Sequence, residues 1–81
     1  MLPGGMDRDM LVEHLRQAER HVTSGERILK HQRCVVEHLR RDRHSEPLID
    51  AAERLLRSFE EVQSMHVADM TRLRGELATP K

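Results

Sequence analysis

Eighty-one residues leave room for one small domain, and a net charge of zero supplies no global field to draw nucleic acid or an anionic membrane surface. Apolar residues make up 37%, charged residues 35%, and Phe59 is the single Phe, Tyr or Trp, a balance that fits long helices and excludes an aromatic-lined pocket. No apolar run approaches the roughly 18 residues that begin to read as a membrane span, and the lone Cys34 has no partner for an internal disulfide, as in a reducing compartment.

From Met1 to Met6 the chain has no periodicity and two glycines, and it lacks the charged segment and apolar core of a signal peptide. Residues 1–6 therefore read as a flexible leader, with the cytoplasm as the expected location. Asp7 has the chemistry of a helix N-cap, and Asp9 adds negative charge at the positive end of the helix dipole. Helix one is expected over about residues 7–43.

Within it, Leu11, Leu15, Ala18, Val22, Gly25, Leu29, Gln32, Val36 and Leu39 follow one another at alternating steps of four and three. That spacing keeps one stripe of an α-helix facing a partner helix. His14, His21, Ile28 and Val35 form a further column beside the stripe and widen it beyond the seam of a two-stranded coil. Thr23 and Glu26 have the spacing of a capping box, and Gly25 costs about 1 kcal/mol in a helix interior relative to Ala. A break at Thr23–Gly25 is still not expected, because the apolar phase passes through Gly25 without a slip.

Arg43-His44-Ser45-Glu46-Pro47 reads as the turn, placed at residues 44–46. Ser45 is positioned to cap, and Pro47 suits the first turn of a helix, where its missing N–H costs nothing. Helix two is expected over about residues 47–78, with 79–81 as a frayed tail. Its stripe is as regular: Ile49, Ala52, Leu56, Phe59, Gln63, His66, Met70, Leu73 and Leu77, flanked by Leu48, Leu55 and Val62.

So short a connection makes the helices antiparallel neighbours. Folding about Ser45 is expected to bring Leu39 near Ala52, Gln32 near Phe59, Gly25 near His66 and Val22 near Met70. Gly25 then makes room for the His66 or Phe59 side chain. The expected fold is an all-α, antiparallel two-helix hairpin. Its core residues are Leu15, Val22, Leu29, Val36, Ala52, Leu56, Phe59, Met70 and Leu73. Two rods touching along one line leave part of each wide stripe in water, so a homodimer closing into a four-helix bundle is the expected assembly.

Six histidines invite a metal reading. His21, His66 and Asp69 fall at similar heights in the hairpin, and imidazoles with a carboxylate are what zinc or another divalent ion uses. The competing reading is structural, a rim histidine hydrogen-bonded to Asp69 that fixes register. No Glu stands three residues before any histidine, so the Glu-x-x-His pairs of di-iron bundles are absent. His66 with Asp69 also resembles part of a catalytic dyad, but Cys34, the one thiol nucleophile, belongs to another face. No enzyme activity and no cofactor are expected. Gln32 and Gln63 stand on the two stripes as polar residues that set register. Arg33, Arg40, Arg41 and Arg43 make the second half of helix one basic, opposite Asp50, Glu53, Glu60 and Glu61 on helix two. Pairing between the helices is the expected use of those charges, and weak nucleic-acid binding is the alternative.

The run Leu15-Arg16-Gln17-Ala18-Glu19-Arg20-His21-Val22, then Gly25-Glu26-Arg27, and later Phe59-Glu60-Glu61-Val62-Gln63 with His66-Val67-Ala68-Asp69 and Leu73, resembles a set of short proteobacterial helical proteins of no assigned function. The resemblance covers most of residues 13–77 and implies a small helical protein from such a bacterium. It carries no activity, ligand or partner. The sequence therefore points to a small, non-catalytic helical oligomerisation or protein-interaction module.

Overall fold

The computed structural model describes residues 7–79. The expected leader at residues 1–6 and the last two residues of the expected tail lie outside the described residues. Two helices, α1 (Arg8–Arg41) and α2 (Glu46–Ala78), fold back on each other into a rod of 61 × 17 × 15 Å. Among the described residues there is no strand, and no helix is long and apolar enough to cross a membrane.

Asp7 caps α1 as its chemistry predicts, its carboxylate accepting from the Met10 N–H at 2.9 Å. The helix then runs unbroken through Thr23–Gly25. It ends two residues before the expected boundary because the chain turns left-handed at Arg43, with φ 56°. The Arg43 N–H donates to the Arg40 carbonyl at 3.2 Å and the His44 N–H to the Leu39 carbonyl at 3.0 Å. These two bonds make a Schellman motif, usually built on glycine and here on an arginine. α2 starts one residue early, at Glu46. Ser45 occupies the N-cap with extended backbone and accepts from the Leu48 and Ile49 N–H groups through its carbonyl. Its side chain makes no cap bond, contrary to expectation.

The core follows the two stripes. Ala18, Leu29, Val36, Ile49 and Leu73 are buried, Leu73 to 1% exposure, and Gln32 and Gln63 are buried among them. Leu15, Val22, Ala52, Leu56, Phe59 and Met70 from the expected core are half-buried. Both glutamines reach across the seam to a backbone carbonyl on the opposite helix: Gln32 Nε2 donates to Ala52 O and Gln63 Nε2 to Val22 O, each at 2.9 Å. A buried amide with a single matching carbonyl opposite it penalises any sliding of the helices, because the slid amide would lose its bond without regaining water. The glutamines thus set register, as their place on the stripe predicts.

The register itself differs from the expected one. The Gln32 amide reaches the Ala52 carbonyl, and Gln63 rather than His66 or Phe59 fills the space beside Gly25. The Schellman turn begins the reversal before Ser45, which slides α2 along α1 relative to a fold pivoting on Ser45.

Candidate functional site on the open flank

The seam between the helices has two edges of opposite character. Along one, Arg33 pairs with Glu60 at 4.0 Å, Arg40 with Glu53, and Arg74 with Glu19 at 3.2 Å. The first two are pairings of the basic half of α1 with α2 acids that the charge pattern anticipates. Exposed pairs of this kind contribute little each, but their long side chains lie over the seam.

Along the other edge no such cover exists among the described residues. Ile28, Leu48, Leu55 and Val62 are 45%, 46%, 46% and 48% exposed. Leu48, Leu55 and Val62 recur every seventh residue and so share one face of α2, as Ile28 and half-buried Val35 share one face of α1. At 3.6 residues per turn, each ion-pairing residue stands about 140° round its helix from the apolar residue five positions before it: Arg33 from Ile28, Arg40 from Val35, Glu53 from Leu48, Glu60 from Leu55. The two edges are therefore opposite flanks. The columns expected to widen the buried stripe are present, but they are left in water at His14, His21, Ile28, Leu48, Leu55 and Val62.

Midway along the rod, this open flank dips into a cavity of about 120 Å³. Ile28, Phe59 and Val62 form its apolar wall, and Gly25, which has no side chain, leaves room for Gln63 beside it. His21 and His66 complete the rim. Their rings stack face to face across the seam, centroids 4.8 Å apart and planes within 8° of parallel. Sequence spacing brought these two residues together correctly. Asp69 does not join them. Its carboxylate is bonded to Arg72 at 2.6 Å, and that bond, with a second to Glu76 at 2.8 Å, holds the Arg72 guanidinium above its ordinary pKa. Among the described residues no three His, Cys, Asp or Glu side chains are placed to hold a metal ion, so the expected trio of His21, His66 and Asp69 is not assembled.

Gln63 packs an unusual group against Gly25. Its Nε2 is committed to Val22 O, which fixes the amide orientation and leaves Oε1 buried with no hydrogen-bond partner. The sequence pattern marks Gln63 as a register residue only. The one available hint was its position three residues before His66, one turn along the same face. Cys34 is exposed and lies beside His31 and His38 on another surface of α1, away from the His21–His66 pair.

No family, curated protein or solved structure matches the chain.

Proposed function

We propose that this chain is a small, non-catalytic cytoplasmic interaction module whose open flank takes a second copy of itself, two hairpins closing into an antiparallel four-helix bundle. The observation that carries this reading is the asymmetry of the seam. One flank is laced by ion pairs, and the other presents Ile28, Leu48, Leu55 and Val62 at nearly half exposure.

A second copy is the occupant that best fits this surface. Among the described residues, five buried apolar side chains along a 61 Å rod make a small core, and chains of this size commonly complete theirs by association. The flank carries apolar side chains at seven-residue spacing on both helices, so an identical flank offers matching knobs and holes. A net charge of zero leaves no global repulsion between copies. A symmetric pair also needs only one surface, since each flank covers the other.

Light scattering on the full chain and on a Leu55→Glu, Val62→Glu variant tests the reading. Both substitutions fall on side chains that face water in the hairpin, so a purely monomeric protein would tolerate them. The expected result is a dimer for the parent chain and a monomer with reduced helix content for the variant. A parent chain that is monomeric at micromolar concentration, or a variant of unchanged mass and helicity, would overturn it.

A further inference from the structure

We propose that α2 is the helix that meets the second copy, running antiparallel to the partner's α2 about a two-fold axis level with Leu55 and Ser58. The proposal rests on the self-association described above and fixes its register. α2 carries a second stripe that the hairpin leaves in water. Leu48, Ala51, Leu55, Ser58, Val62 and Met65 follow one another at alternating steps of three and four, and all six are exposed. Met65, at 69%, is the most exposed large apolar side chain among the described residues. The stripe lies about a quarter-turn round the helix from the buried positions Ile49, Gln63 and Leu73, and it stops at the Asp69–Arg72 ion pair. On α1 the adjoining face surrounds Ile28 with His21, Ser24 and His31, so α2 supplies most of the apolar contact.

The order of residues makes this stripe complementary to its own reverse. In the antiparallel register Leu55 meets the partner's Ser58 and Val62 meets the partner's Ala51, large against small in each layer. The two-fold axis repeats both layers. At either end Leu48 meets the partner's Met65, whose unbranched side chain adapts to the space. A parallel pairing would instead set Ala51 against the partner's Ala51 and Ser58 against the partner's Ser58, leaving those layers hollow. Beside the stripe, the antiparallel register puts Arg54 next to the partner's Glu61. Both residues are exposed, and among the described residues neither is ion-paired within the hairpin. The seam agrees with this level: the Gln32–Ala52 and Gln63–Val22 bonds bracket it, and exposed Ile28 of α1 lies between them.

Charge reversal tests the register. Arg54→Glu sets acid against acid across the two-fold axis, and Glu61→Arg sets base against base. Mixing the two variants restores opposite charges in a heterodimer. Analytical ultracentrifugation at low ionic strength follows a dilution series of the full chain, of each variant and of the equimolar mixture, with helix content checked by circular dichroism. The expected result is a dimer for the parent chain and a dissociation constant raised about tenfold in either variant alone. The mixture should return to within about threefold of the parent value, whereas a loss confined to helix stability would not be repaired by mixing. A parent dimer whose affinity ignores both substitutions, or variants that mixing does not rescue, would overturn this register and leave self-association standing. A parent chain that stays monomeric would overturn both.

Discussion

The Gln63 side chain lies where a Cβ on residue 25 would have to be. A methyl group built on Gly25 overlaps Gln63 Oε1 and falls 2.6 Å from Gln63 Cδ. The glycine is therefore a packing requirement of the opposite helix, and the about 1 kcal/mol it costs in helix propensity is offset by the buried amide it admits.

Substituting Gly25 should consequently depend on what stands at 63. Gly25→Ala is expected to destabilise the protein by about 1 kcal/mol, because Gln63 must leave its pocket and lose its bond to Val22 O. In a Gln63→Ala background the same substitution should stabilise by about 1 kcal/mol, since only the propensity gain remains. Gly75, which meets nothing within 4 Å, gives the control: Gly75→Ala should stabilise in either background. Denaturant unfolding of the double-mutant cycle measures the coupling, and additive effects would contradict the packing account.

Arg43 holds the left-handed position of the Schellman turn, where a side chain strains the backbone by roughly 1–2 kcal/mol. Arg43→Gly should raise stability by about 0.5–1 kcal/mol after the added entropy of the unfolded chain is subtracted. Thermal unfolding reads the gain. At the other end of α1, Asp7→Ala should remove the bond to the Met10 N–H and lower stability by about 1 kcal/mol.

Leu29 is buried at 8% exposure in the middle of the α1 stripe. Leu29→Asp places an unpaired carboxylate there and should cost about 4 kcal/mol or more, leaving an unfolded monomer. Circular dichroism with light scattering distinguishes this from a folded dimer, which would refute the burial of that stripe.

The stripes themselves were legible in the sequence. Leu29, Val36 and Leu73, together with Ala18 and Ile49, stand at the predicted spacing and are buried. Gln32 and Gln63 were placed on the seam correctly for the same reason. The register was not legible, because it depends on where the reversal begins. A non-glycine residue adopting positive φ at Arg43 carries no sequence signal, so the spacing puts the turn two residues late and gives the space beside Gly25 to His66 or Phe59, which do border the same cavity, rather than to Gln63. His21 and His66 still meet, because they lie level with the Gly25–Gln63 contact in the observed register. Asp69 did not join them, because Arg72, three residues further along the same helix, offers its carboxylate a nearer and fully charged partner.

The proposed function requires that another hairpin cover the open flank. Sedimentation equilibrium of the full chain across the micromolar range, with the thermal midpoint followed at each concentration, tests it most directly. A paired flank gives twice the mass of one chain and a midpoint that rises with concentration, as for any assembly whose folding and association are linked. A particle of single-chain mass whose midpoint stays fixed would contradict it.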